Sequence, residues 1–179
     1  MADIKITSHP TPGDKSAQDA SPSVINDDDI TEAIELLFFA YRDFISDPDA
    51  ILTEFGFGRA HHRVIHFVSR NPGIKVADLL EILRITKQSL ARVLKQLIER
   101  DFIEQRTGPQ DRRQRLLYLT DLGLDLERRL AAPQRARVRA SLAGAGTEAA
   151  GAWRTIMRGL INEDARPSVD RLTKKGKSA

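Results

Sequence analysis

The stretch GPQDRRQRLLYLT, residues 108–120, brings Arg112, Arg113 and Arg115 together behind a Gly108-Pro109 turn signal and Asp111. A guanidinium is a planar, permanently charged fork of N–H donors, so its chemistry is recognition of phosphate, carboxylate or a base edge. Phe102–Thr107 before the charges and Arg115–Leu119 after them read as strands, which makes the arginines the tip of a hairpin. Arginines so placed suit the minor groove of duplex DNA, where narrow A·T tracts concentrate negative potential. Asp111 repels phosphate and so needs a separate role. A bidentate pair with the Arg113 guanidinium would let it fix the shape of the loop.

A second constellation lies just upstream. Counted at helical spacing, the segment Thr86–Arg100 gathers Leu90, Val93, Leu94 and Leu97 on one face. Gln88, Arg92, Lys95 and Glu99 take the opposite face, with Ser89 and Gln96 beside them. A short helix carrying Leu79, Leu80, Ile82 and Leu83 precedes it, so the pair reads as a helix-turn-helix. In that motif the N-terminal part of the second helix meets base edges, where Arg reads guanine and Gln reads adenine. Thr86, Lys87, Gln88, Ser89, Arg92 and Lys95 are therefore the expected DNA-facing residues of the helix. Arg112, Arg113 and Arg115 of the hairpin, ordered by Asp111, are those of a wing.

The elements that must position these groups follow from patterning. The 179 residues contain no cysteine, which excludes disulfides, thiolate metal sites and cysteine nucleophiles. No apolar run approaches the roughly 18 residues of a membrane span, and the N-terminus lacks the pattern of a signal peptide, so a cytoplasmic location is expected. Residues 1–58 hold three basic and twelve acidic residues, against 25 and 13 in the remainder, an asymmetry suited to a polyanionic partner. Residues 1–25 and 164–179 are polar, without periodicity, and are expected to be disordered. Between them the expected order is four helices, the hairpin, then two more helices: a mainly α fold (α+β winged helix). The first helix carries Ile30, Ile34, Leu37, Phe38, Tyr41 and Ile45, and the second spans about Arg59–Arg70. Thr120 caps the fifth, which Pro133 is expected to bend or interrupt, and the sixth starts near Thr147.

From Leu79 to Gly123 the chain resembles the MarR family of bacterial transcriptional regulators. Asp111-Arg112-Arg113-Gln114-Arg115 matches the family's D-x-R-x-[RK] wing motif, and Leu119-Thr120-Asp121-Leu122-Gly123 the L-T-x-x-G that opens the next helix. Ile85–Glu99 (ITKQSLARVLKQLIE) has the recognition-helix pattern, and the similarity covers about residues 28–162. The resemblance implies a winged helix-turn-helix over 58–120 that binds double-stranded DNA. It implies a homodimer formed by helices from both ends of the chain, 26–57 and 121–163, on a pseudo-palindromic site.

His61, His62 and His66 lie in the second helix, and the last two share a face at metal-ligand spacing. Arg63 stands where a zinc protease needs glutamate, and no third ligand is evident, so no metal or other cofactor is expected. These histidines either pack where the second helix meets the dimerisation helices or line the small-molecule pocket that the resemblance implies there; Tyr41 and Arg42 on the first helix carry groups able to orient a phenolic or carboxylate effector. A metal-responsive regulator is one alternative. A basic module that binds acidic protein or RNA is another, although residues 84–116 offer only Phe102 for base stacking. With no P-loop, G-x-S-x-G or dinucleotide fingerprint, an enzyme is not expected.

Overall fold

The computed structural model describes residues 25–109, 111 and 113–175. Residues 1–24 and 176–179 of the expected disordered tails, and Arg112 of the wing, lie outside the described residues.

Helix α1 (Asp27–Thr53) starts at a reciprocal cap. The Asp29 amide donates to Asn26 Oδ1 at 2.9 Å, and the Asn26 amide donates to Asp29 Oδ2 at 3.2 Å. Asp27, Asp28 and Asp29 in the first turn face the positive end of the helix dipole. The boundary between two compact units falls inside α1, between Leu37 and Phe38. Everything below concerns the second unit unless stated.

Helix α2 (Arg59–Arg70) has Val64, Ile65 and Val68 fully buried, at the spacing of one helical face. It ends at Asn71; Gly73 then takes φ +80, a left-handed turn that leads into β1 (Ile74–Lys75). Helices α3 (Val76–Leu83) and α4 (Lys87–Glu99) follow, then the hairpin β2 (Ile103–Thr107) and β3 (Arg115–Leu119). The sheet order is β1-β3-β2, all antiparallel, with Ile74 opposite Leu117 and Gln105 opposite Leu117 on the other side. One core joins these elements. Leu79 and Leu83 from α3, Leu90 and Leu97 from α4, Ile103, Leu117 and α5's Leu126 and Leu130 are all buried. Each such side chain contributes roughly 1.5–3 kcal/mol relative to exposure.

Helix α5 (Asp121–Gly144) is capped by Thr120, whose hydroxyl accepts from the Gly123 amide at 3.1 Å. Gly123 is required by packing: a Cβ there would sit 2.1 Å from the Phe102 carbonyl oxygen. The L-T-x-x-G pattern is thus a cap followed by a close approach of helix to hairpin. Pro133 does not interrupt α5, which continues to Gly144. Its missing N–H costs one helix bond, but contacts on both sides hold the helix to α1 and the core. Leu130 and Ala131 are buried, Gln134 donates to the Phe44 carbonyl at 3.3 Å, and Arg137 pairs with Asp47 at 3.0 Å.

Helix α6 (Ala149–Gly159) leads to a short 3₁₀ turn (Glu163–Ala165) and helix α7 (Arg166–Lys175). The expected disorder over 164–175 is therefore incorrect. Val169 and Leu172, three apart, are half-buried, and Ser168 and Arg171 both hydrogen-bond Glu81 of α3. A tail too polar to fold by itself is ordered by docking on its neighbour. No helix among the described residues is long and apolar enough to cross a membrane.

Candidate nucleic-acid interface

Recognition-type helix α4 is presented as its periodicity requires. Leu90, Val93, Leu94 and Leu97 face the core, while Lys87, Gln88, Arg92 and Lys95 are exposed. Thr86 and Ser89 have a structural task already. The Thr86 hydroxyl accepts from the Ser89 amide at 3.1 Å and donates to Ser89 Oγ at 2.9 Å, closing the helix N-terminus. Lys95 stands 3.7 Å from Glu99, one turn along. Lys87, Gln88 and Arg92 make no ion pair among the described residues, so their donors are open at the N-terminal end of the exposed face.

The wing departs from expectation at Asp111. Its carboxylate accepts from the backbone amide of Arg113 at 2.9 Å and from the Gln114 side chain at 3.3 Å. Its carbonyl accepts the Gln114 amide at 3.0 Å, and Gly108 N–H closes the turn onto Gln114 O at 3.0 Å. The loop is ordered through main chain, an Asx-type turn. A guanidinium pair would also have had to immobilise the long Arg113 side chain, a larger entropic cost. Among the described residues the Arg113 guanidinium has no ionic partner, so it remains available at the tip. Arg115 is partly committed, donating to Thr107 across the hairpin at 2.9 Å.

A residue absent from the sequence-based site positions α4. His61 is 8% exposed and stacks on Phe57 with ring centroids 4.5 Å apart. Its Nδ1 accepts from the Gly58 amide at 3.1 Å, which leaves Nε2 to donate to Gln96 Oε1 at 2.7 Å. Helix α2 is thereby cross-linked to α4. At the end of α4, the Arg100 guanidinium lies 4.5 Å from the Phe57 ring and donates to the Phe55 carbonyl. The available signal was spacing: His61 precedes Val64, Ile65 and Val68 on the same buried face.

The expected effector residues do not converge. Of Tyr41, Arg42, His62 and His66, only His66 lines the cavity of about 740 Å³ between α1, α2 and α5. Arg42 instead pairs with neighbouring Asp43 at 2.8 Å and lies over the Phe39 ring. The cavity adds Phe44, Val138 and Leu142 as apolar wall and Gln134, Arg135 and Arg139 as donors. Beside it, Glu127 is buried with Oε1 lacking a hydrogen bond, 3.6 Å from the Arg135 guanidinium. Loss of surrounding water holds the imidazoles of His62 and His66 below their ordinary value. For His62 the neighbouring His66 adds to this; for His66, Arg70 and Arg135 do, against an opposing pull from Glu127. Among the described residues no group of three or more His, Asp or Glu side chains is placed to hold a metal.

A two-helix turn whose second helix offers free polar donors, followed by an arginine-tipped hairpin, defines a winged helix-turn-helix protein. Comparison with known proteins agrees. A MarR family model matches residues 55–114. The HTH-type transcriptional regulator PetP of Rhodobacter capsulatus is 44% identical over 142 residues, covering 79% of this chain and 86% of the relative. Streptococcus pneumoniae FabT, solved in complex with DNA, superposes with a TM-score of 0.65 at 19% identity, over 74% of this chain and 94% of that one. A MarR crystal structure gives a TM-score of 0.56 at 25% identity, over 79% and 94%. The chain belongs to the MarR family and is a helix-turn-helix transcriptional regulator.

Proposed function

We propose that the protein binds pseudo-palindromic duplex DNA as a homodimer, each α4 in a major groove and each wing in the flanking minor groove. The observation that carries this reading is the pairing of two uncommitted donor sets. Lys87, Gln88 and Arg92 stand open on α4, and the Arg113 guanidinium stands open at a wing tip whose backbone Asp111 has already ordered. Arg92 reads a base edge, Lys95 contacts phosphate, and Arg113 and Arg115, with Arg112, serve the minor groove. Residues 58–120 form the reading domain; 26–57 and 121–163 form the dimer. Exposed apolar side chains support that assignment: Ile30, Ile34, Leu36 and Leu37 in the first unit, and separately Phe38, Phe39, Trp153, Ile156 and Leu160 in the second.

Effector control is assigned to the cavity lined by His66. Apolar walls with Arg135 and Arg139 suit an aromatic or aliphatic carboxylate, which would compete with Glu127 for Arg135.

The test uses an operator selected from a random duplex library. Arg92→Ala should weaken operator binding by about 1–3 kcal/mol and flatten preference at one base pair per half-site. Lys95→Ala should weaken all sequences alike and lower the salt slope by about one per subunit. Equal losses on operator and random DNA for Arg92→Ala would remove it from the reading surface. A sedimenting monomer that retains full operator specificity would overturn the dimer.

A further inference from the structure

The turn between α3 and α4 contains an unexpected residue. Arg84 is the C-cap of α3 with φ 50 and ψ 45, the left-handed conformation. Glycine takes that conformation without strain, and an arginine there is disfavoured by its Cβ. The backbone therefore gives no reason for arginine, and the side chain must supply it. In this structure the guanidinium reaches Asp164 of the 3₁₀ turn at 2.8 Å, an ion pair in which the two side chains are 53% and 70% exposed. So exposed a pair adds little to stability and is readily exchanged.

Position supplies the rest. Arg84 lies two residues before Thr86, the cap of the helix whose N-terminal end faces DNA in the proposed complex. A cation at this turn is within the zone where the first helix of such a motif crosses the phosphate backbone. The segment bearing Asp164 is held by exposed polar contacts, Arg171 and Ser168 to Glu81 and Arg158 to Asp170, and by the half-buried Val169 and Leu172. None of the described α7 side chains is fully buried. We propose that Arg84 is a DNA-phosphate contact held by Asp164 in the free protein, so that the C-terminal segment competes with DNA for it.

The competition has a defined salt signature. A phosphate that takes Arg84 releases a counterion from DNA, while the freed Asp164 carboxylate takes up a cation, and the two nearly cancel. Asp164→Asn removes the uptake. It should tighten binding several-fold near physiological salt and steepen the salt slope by about one per subunit. Both changes require Arg84.

The inference rests on the DNA-binding reading, and the experiment separates the two. Full-length wild type, Asp164→Asn, Arg84→Gly and the double variant are titrated by anisotropy against one arbitrary-sequence duplex of roughly 30 base pairs, long enough for two half-sites. The titrations are repeated across a salt series. Arg84→Gly is chosen because glycine fits the left-handed backbone; it should melt no lower than wild type and bind DNA more weakly. Asp164→Asn should tighten and steepen binding with Arg84 present and do neither with Arg84→Gly. Unchanged or weaker binding by Asp164→Asn, or the same gain in both backgrounds, overturns the competition. Wild type without salt-dependent duplex binding overturns the DNA-binding reading itself.

Discussion

Replacing Gly123 by alanine tests how α5 is joined to the hairpin. The new Cβ would lie 2.1 Å from the Phe102 carbonyl oxygen and 3.2 Å from Leu119 Cβ. Ordinary carbon–oxygen contact begins near 3.3 Å, so the two backbones must separate by about 1 Å. The carbonyl cannot turn aside: it accepts the Thr120 amide at 3.2 Å, while the Phe102 amide is bonded to Leu97 O at 2.9 Å. Separation sacrifices the Phe102–Thr120 bond, about 0.5–1.5 kcal/mol, and strains the Thr120 cap, about 1 kcal/mol. Overpacking adds about 1–3 kcal/mol, and alanine's helix preference returns about 1 kcal/mol. The net expectation is a loss of about 1.5–4.5 kcal/mol, read as a lower urea midpoint at unchanged m-value. Gly144→Ala at the far end of the same helix meets nothing within 4 Å and serves as the control, neutral or slightly stabilising. Equal behaviour of the two variants would refute the close-approach explanation of the motif.

Asp111→Ala should weaken DNA binding, although it removes an acid beside phosphate, because the Arg113 amide and Gln114 side chain lose their acceptor. Asp111→Asn keeps one acceptor oxygen and should retain most of the affinity; if both variants bind tighter in anisotropy titrations, repulsion outweighs loop order. A second expectation concerns pH. The folded state holds His62 and His66 below the ordinary 6.5. The unfolded chain therefore takes up protons first, and their contribution is complete above that value and lost as pH falls below it. Thermal midpoints should drop between about pH 7 and 5, and His62→Gln and His66→Gln should each flatten the drop; a profile unaltered by both would remove these groups from the linkage.

What could be read in the residues was what periodicity controls. The buried face of α4, the wing strands and the Thr120 cap all follow from local spacing or local hydrogen bonding, and the structure has them. Strand β1 has no signature in the sequence, because two residues carry no pattern; it exists because Ile74 and Lys75 pair with Leu117 and Leu116. His61 lacks the metal-ligand spacing of His62 and His66, and its hydrogen bond to Gln96, thirty-five residues away, is not visible in a sequence. The Asp111 bond went to an amide because sequence shows charge and hides backbone geometry. Helix α7 follows the same logic in reverse: its composition suggests disorder, and contacts with Glu81 order it. Of the four effector residues only His66 lines the cavity; the side-chain chemistry of Tyr41 and Arg42 carries no information on which way α1 turns them.

The acidic residues at the end of α1 and just beyond it do more than hold helices together. Asp47 pairs with Arg137, Asp49 with Arg59 and Glu54 with Arg129. Each arginine so engaged becomes half of a short dipole whose field decays quickly, while Lys87, Arg92 and Arg113 keep theirs. A diffusing polyanion therefore meets an anisotropic field that turns the molecule before any contact forms, raising the share of productive collisions. Guidance of this kind reaches about 8 Å at physiological ionic strength. Added salt should consequently slow association more than it hastens escape, and blunt the quenching pairs at the same time.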